Sequence, residues 1–243
     1  MDPKTPVVLL HAFPLNADMW ESQRKALGSR KTLAPNFPGF GGRAVSEAEL
    51  DRFARVVIED MDASGIGRAV VVGLSMGGYA AFRLHALAPE RLAAVVLADT
   101  KASGDDETGR ARRTDQANRA RQEGVAWLAE ALLPALLGET TLKERPEVVA
   151  AVRAMMDEAD AEGVARALEA MRERPDSTPH LADIQVPVLL MVGEEDTLTP
   201  VDEARKIAER VKDGRLTVIP GAGHLSNLEA PDRFNEALLS FLG

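Results

Sequence analysis

The run Ala69-Val70-Val71-Val72 passes directly into Gly73-Leu74-Ser75-Met76-Gly77, and no other stretch restricts the fold as strongly. An unbroken apolar, β-branched run reads as a strand covered on both faces, as in a parallel sheet. A serine with glycine two residues away on each side then reads as a sharp strand-to-helix turn. Such a turn holds the serine backbone in a sparsely populated conformation and pushes its hydroxyl clear of the sheet. A side chain at either glycine would strike the adjoining strand or helix. The chain must therefore build a sheet with helices packed on it, and must bring partners to the Ser75 hydroxyl from elsewhere.

Along the chain, strand-length apolar runs alternate with longer helical patterns, the signature of βα units feeding a parallel sheet. Strands are predicted at Val7–Ala12, Thr32–Pro35, Ala69–Val72, Ala93–Ala98, Val188–Val192 and Leu216–Ile219. Pro35 and Pro38 place the second of these at a sheet edge, because proline cannot donate to the ladder. Helices are predicted over Asp18–Ala26, Glu47–Met61, Met76–Leu87, Asp202–Val211 and Pro231–Leu242. Between Asp99 and Asp183 no strand-like run occurs, while Arg119–Leu137, Pro146–Glu158 and Val164–Arg172 carry helical periodicity. The expected class is α/β: a mostly parallel sheet of about six strands, helices on both faces, and a helical insertion. In domain terms, 1–100 and 184–243 form the core and 101–183 a helical lid. Arg110, Arg112, Arg113, Arg119 and Arg121 make the start of the insertion basic; a solvated, charge-laced helix face is the plainer reading, an anion site the sharper one.

At 243 residues with 45% hydrophobic and 28% charged residues, the chain can bury a sizeable core. Its formal net charge of -9 opposes nucleic-acid binding. With no cysteine, disulfides, thiolate metal sites and a cysteine nucleophile are excluded. The N-terminal Met-Asp-Pro-Lys-Thr-Pro does not read as a signal peptide, and no apolar run approaches the roughly 20 residues of a membrane span. A cytoplasmic protein without membrane attachment is expected.

A serine hydroxyl near neutral pH needs an adjacent base. Of the four histidines, His224 lies in Gly221-Ala222-Gly223-His224, just past a predicted strand, at the carboxyl edge of the sheet where Ser75 also emerges. His11 reads as a brace for the first loop, and His85 and His180 as structural. The base requires a carboxylate to fix its tautomer. Asp196, in Gly193-Glu194-Glu195-Asp196, and Asp99 both follow strands and both satisfy the chain order Ser, Asp, His; Asp196 is the preferred reading. Glu194 and Glu195 read as surface carboxylates of that loop. Two backbone donors are also needed for a developing oxyanion: Met76, directly after the serine, and Phe13 in His11-Ala12-Phe13-Pro14.

Together with Asn36-Phe37-Pro38-Gly39-Phe40-Gly41, these motifs resemble the α/β-hydrolase superfamily from Val7 to the C-terminus, and within it small carboxylesterases and 3-oxoadipate enol-lactone hydrolases. The resemblance implies a Ser75–Asp196–His224 triad, a Phe13/Met76 oxyanion hole, and a lid over the pocket near residues 101–183. Two departures stand out. Ala12 replaces a customary glycine, and only six residues precede Val7, so the usual leading hairpin is expected to be missing and the sheet six-stranded. Serine at the elbow argues against haloalkane dehalogenases and epoxide hydrolases, which use aspartate there. The loop His11-Ala12-Phe13-Pro14, poorer in glycine than theirs, argues against carbon–carbon bond hydrolases and proline iminopeptidases.

The expected activity is cofactor-free and metal-free cleavage of small to medium acyl esters through an acyl-enzyme. Trp127, Leu132, Met155, Met156, Met171, Leu198 and Leu225 are candidate pocket residues, each equally explicable as core packing. The partner is a small-molecule ester or lactone. The alternatives are enol-lactone hydrolysis of an anionic substrate, which calls for a cation in the lid pocket, perhydrolysis, and a non-catalytic ligand receptor. Oligomeric state is not legible in the sequence.

Overall fold

The computed structural model describes all residues from Met1 to Gly243. Six strands, β1 (Val7–Leu10), β2 (Thr32–Leu33), β3 (Ala69–Leu74), β4 (Leu92–Ala98), β5 (Val188–Gly193) and β6 (Gly214–Ile219), form one sheet. Their order is β2-β1-β3-β4-β5-β6, and every pairing is parallel. The expected six strands are all present. The proline-flanked strand does sit at an edge, shortened to two residues, and β6 forms the other edge. The inner strands β1, β3 and β5 are buried along their whole length, as continuous apolar runs require.

Eleven α-helices accompany the sheet. Those of the core are α1 (Glu21–Leu27), α2 (Leu50–Ala63), α3 (Met76–Leu87), α9 (Val201–Ala208), α10 (Ser226–Glu229) and α11 (Pro231–Leu242). Two apolar clusters cover the two faces of the sheet. Val8, Leu10, Val71, Leu97 and Leu190 belong to one with α2 and α3; Val7, Leu9, Val72, Val96 and Leu189 belong to the other with Trp20 and Phe234. This alternation along each strand is the period-two pattern that builds a three-layer protein. No helix is long and apolar enough to cross a membrane.

Between β4 and β5 the chain forms α4 (Glu107–Glu123), α5 (Leu128–Leu136), α6 (Glu139–Glu144), α7 (Pro146–Asp157) and α8 (Ala161–Arg172). The segment is helical throughout its ordered elements, as periodicity predicts, but its boundaries differ. The single helix expected over Arg119–Leu137 is two. Gly124, at φ +73°, ends α4 in a conformation that a side chain would disfavour. Asp106 starts α4 by accepting from Gly109 N at 2.7 Å, and Asp160 starts α8 in the same way through Gly163 N at 2.8 Å. These caps place both helix starts earlier than the apolar pattern alone suggests.

Candidate active site

Strand β3 delivers Ser75 to the carboxyl edge of the sheet with φ +53° and ψ -111°. The backbone can hold this turn because the glycines around it leave no side chain in the way. A Cβ on Gly77 would lie 2.1 Å from Leu10 O, and one on Gly73 would lie 2.3 Å from Gly77 O. The crossing is thus as tight as the glycine spacing implies.

The loops after β5 and β6 bring an acid and a base to this serine. His224 Nε2 accepts from Ser75 Oγ at 2.8 Å, and His224 Nδ1 donates to Asp196 Oδ2, also at 2.8 Å. Both His224 and Asp196 are buried. Asp196 accepts three further hydrogen bonds: Leu198 N at 2.8 Å and Thr199 N at 3.0 Å on Oδ1, and Thr199 Oγ1 at 2.7 Å on Oδ2. Burial acts to raise the Asp196 pKa, but the His224 charge interaction and the His224 and Thr199 hydrogen bonds outweigh it and hold the carboxyl below the ordinary range. Asp99, the rival acid, makes no hydrogen bond to His224; it accepts from Gly193 N at 2.8 Å and bonds Ser226. The sequence marks Thr199-Pro200 as a helix start without giving Thr199 a part in the site, although an Asp followed three residues later by Thr at such a start is a recognisable turn pattern.

The amides of Phe13 and Met76 donate to no protein acceptor, and Phe13 lines the same cavity as Ser75. The loop that carries Phe13 is braced by His11. Phe37 N donates to His11 Nε2 at 2.9 Å, His11 Nδ1 donates to Ala12 O at 2.9 Å, and the ring packs 4.7 Å from that of Phe37. Complete burial lowers the His11 pKa to about 4, only partly offset by the Ala12 carbonyl, so the ring is neutral near pH 7. The bracing role read from sequence matches this geometry. His180 is exposed beside Asp183, and it lines a separate shallow pocket with His85.

A cavity of about 240 Å³ opens over Ser75 and His224. Of the expected pocket residues, Leu132, Met171 and Leu198 line it, together with Phe13, Leu136 and Leu168. The other four do not. Trp127 lies in an adjoining outer groove under Arg119, whose guanidinium sits 4.4 Å from the ring centroid. Met155 and Met156 ride on α7, which packs against α5 and α6; Met156 is buried in the apolar cluster that also holds Leu133 and Val152, and Met155 packs against it. Leu225 follows His224 into that same cluster and is fully buried there.

The cavity also has a polar wall that sequence reasoning did not resolve: Tyr79, Lys101, Asp105, Arg112, Arg113 and Gln116. Asp105 is paired with Arg113, with Arg174 at 2.7 Å and with Lys101 at 3.6 Å. Burial opposes its ionisation, but hydrogen bonds from Arg174 and Arg113 prevail and hold it well below the carboxylate range. The basic stretch of the insertion therefore divides. Arg110, Arg119 and Arg121 pair with surface glutamates, whereas Arg112 and Arg113 face the cavity. Glu195 departs from its expected surface role: it accepts from Thr140 N at 2.9 Å and so joins the acid loop to α6. No group of three or more histidine and carboxylate side chains is arranged to hold a metal ion.

Known proteins share this architecture. The sequence is 28% identical over 236 residues, 96% of this chain and 86% of the relative, to 3-oxoadipate enol-lactonase 2 of Acinetobacter baylyi. Among solved structures, a thermophilic esterase from Thermogutta terrifontis, with malate bound, superposes with a TM-score of 0.95 at 37% identity, over 98% of this chain and 89% of that one. The enol-lactonase of Burkholderia xenovorans LB400 gives a TM-score of 0.90 at 29% identity, over 98% and 91% of the two chains. The model of the alpha/beta hydrolase family matches residues 7–237. With its parallel sheet, its serine turn and that match over nearly its whole length, the chain belongs to the alpha/beta hydrolase family.

Proposed function

We propose that the chain is a serine carboxylesterase acting on esters of small to medium acyl chain. The observation that carries this reading is the continuous relay from Ser75 Oγ through His224 to Asp196, 2.8 Å at each step, beneath a cavity of about 240 Å³. His224 Nε2 takes the hydroxyl proton as Ser75 Oγ attacks the ester carbonyl. Asp196 stabilises the imidazolium, and the Phe13 and Met76 amides hold the oxyanion, each supplying about 3 kcal/mol of transition-state stabilisation. The tetrahedral intermediate collapses as His224 protonates the departing alkoxide, leaving an acyl group on Ser75. A water then gives its proton to His224 and attacks the acyl carbon, and Ser75 recovers its proton as the acid leaves. Residues 101–183 serve as the lid: Leu132, Leu168 and Met171 from this segment face Ser75 and His224 from the core across the cavity.

The similarity to the Thermogutta esterase supports the ester reading. Its test is a panel of 4-nitrophenyl esters of increasing chain length, run beside labelling with a fluorophosphonate. Turnover and labelling are expected in the native chain, and both should disappear in Ser75→Ala without loss of fold. A native protein that neither turns over an ester nor takes the label would refute the reading in favour of a ligand receptor.

A second reading, hydrolysis of a carboxylate-bearing enol-lactone, is favoured by the polar wall. Lys101, Arg112 and Arg113 face the cavity against the single carboxylate of Asp105. In a chain of net charge -9, that local excess of cations would draw an anionic substrate. The chemistry at Ser75 is the same for both readings.

A further inference from the structure

The carboxyl end of β4 touches every loop that carries a member of the relay. Ala98 O accepts from Ser75 N at 2.9 Å, and Thr100 Oγ1 donates to Ser75 O at 2.9 Å. Between these two residues lies Asp99, completely buried. Its Oδ1 accepts from Gly193 N at 2.8 Å, three residues ahead of Asp196. Its Oδ2 is hydrogen-bonded to the Ser226 hydroxyl and lies 3.4 Å from Ser226 N, two residues beyond His224. Asp99 has φ +44°, a conformation costly for a residue with a side chain and kept where the surroundings dictate it.

We propose that Asp99 is a positioning residue for hydrolysis, a buried carboxyl group that latches the Asp196 loop to the His224 loop beside Ser75. It lines no part of the cavity and makes no hydrogen bond to the imidazole, and it acts through the two loops. This rests on the esterase reading of the site and adds a role to a residue outside the relay. No cation is paired with Asp99. Burial, and next the Asp196 carboxylate, raise its pKa well above the ordinary range; Glu229 of α10 adds to this, and the Ser226 and Gly193 bonds only partly oppose it. The Gly193 N–H donates to Oδ1, and both the Ser226 hydroxyl and the Ser226 N–H donate to Oδ2. An asparagine amide can keep the Gly193 bond through its oxygen and hold the Ser226 hydroxyl by donating to it, and asparagine tolerates positive φ better than most residues.

Three variants of the whole chain test the proposal: Asp99→Asn, Asp99→Ala and Ser226→Ala. Each is measured for kcat and KM on a neutral 4-nitrophenyl ester, for the pH profile of kcat/KM, and for thermal stability. Asp99→Asn is expected to keep kcat within about threefold and to leave the acidic limb where it is. Asp99→Ala should lower kcat by about 100-fold, since misplacing reacting groups by about 1 Å costs that much, with KM changed less than about twofold. Its acidic limb should move to lower pH, because the imidazolium loses alignment with Asp196; a residue that only packs would leave the limb in place. If Asp99→Ala does not fold, Ser226→Ala carries the comparison, with a kcat loss of about tenfold and the same direction of the limb. The proposal is overturned if Asp99→Asn is as impaired as Asp99→Ala or itself shifts the limb, or if neither truncation lowers kcat. A native chain inactive on every ester and unlabelled by fluorophosphonate would strike at the esterase reading instead.

Discussion

Ser75 and Asp99 are the two non-glycine residues with positive φ, +53° and +44°, and they end neighbouring parallel strands at the same level, where Leu74 pairs with Ala98. Backbone strain of this kind costs about 1–3 kcal/mol per residue and collects at functional sites. At Ser75 the strain is separable from the chemistry. Ser75→Ala and Ser75→Gly should both be inactive, but the glycine variant should be the more stable by about 1 kcal/mol, because it adopts this φ without a Cβ penalty. Urea midpoints of the two variants measure the difference. Equal midpoints would mean that the turn is unstrained.

The same turn depends on close approach at Gly77. An added Cβ there would sit 2.1 Å from the Leu10 carbonyl oxygen, which belongs to the β1 backbone and cannot rotate away. Gly77→Ala should cost about 3 kcal/mol or more, seen as a lowered melting temperature or loss of soluble protein. Gly42→Ala is the control. It has positive φ but nothing within 4 Å of its Cβ, so it should be penalised only for its backbone conformation. A Gly77→Ala protein with native stability would contradict the packing described at the elbow.

Thr199 makes the most direct contact with the acid among residues outside the relay. Its hydroxyl donates to the same Asp196 oxygen that receives the His224 bond and lies 3.3 Å from Nδ1. Thr199→Val removes that donor at nearly constant volume. The depressed pKa of Asp196 should move back up, so the stability that this carboxylate contributes above its unfolded pKa shrinks. A hydrogen bond to a charged group is worth about 1.5–3 kcal/mol, and kcat should drop about tenfold if roughly half of that is expressed in the transition state. Thr199→Ser should restore most of the rate. Stopped assays at a fixed neutral pH suffice to check both.

Much of this was legible before the coordinates. The Val-rich runs gave the parallel sheet because burial on both faces leaves no polar alternation, and Pro35 gave the edge because it lacks a donor. Ser75 and His224 were readable because glycines mark the turns that carry them. The choice of Asp196 over Asp99 was only a preference from sequence: both follow strands, and what separates them is a 2.8 Å contact to an imidazole 28 residues beyond Asp196. The pocket was read least well. Leu132 and Met155 both sit on apolar helix faces, and periodicity says that such a face is covered without saying by what. The packing of α7 against α5 and α6 buries Met156 against Leu133 and Val152, with Met155 beside it, and leaves both out of the cavity wall. Likewise no pattern distinguishes Arg112, which lines the cavity, from Arg110, which pairs with Glu173.

Acid should loosen the loop that carries Phe13 before it titrates the surface. His11 is wholly buried, and its pKa falls from 6.5 to about 4 on folding. Between those values the unfolded chain holds the extra proton, so stability rises with pH in this window and is lost as pH falls through it. The full shift corresponds to about 3 kcal/mol. Urea unfolding at pH 7 and near pH 4 should show a loss of that order in the native chain and a smaller one in His11→Asn, which cannot take up a proton. Parallel losses in the two proteins would remove His11 as the source.

Arg112 offers the sharpest test of what the cavity prefers. It lines both the cavity over Ser75 and the outer groove beside it, and it has no ion-pair partner, whereas Arg113 and Lys101 share Asp105. A carboxylate entering the cavity would meet this free guanidinium without displacing an internal bond. For a 4-nitrophenyl monoester of a dicarboxylic acid, Arg112→Gln should raise KM by about fivefold at low salt, the range expected of an exposed ion pair. The effect should shrink as salt is raised, because an exposed pair is screened. A neutral ester of equal chain length should be hydrolysed unchanged, since Arg112 lies outside the relay and the oxyanion donors. If both esters respond alike, the guanidinium acts on the shape of the groove and the carboxylate-bearing lactone loses its main support, while the proposed ester hydrolysis at Ser75 is left untouched by the result.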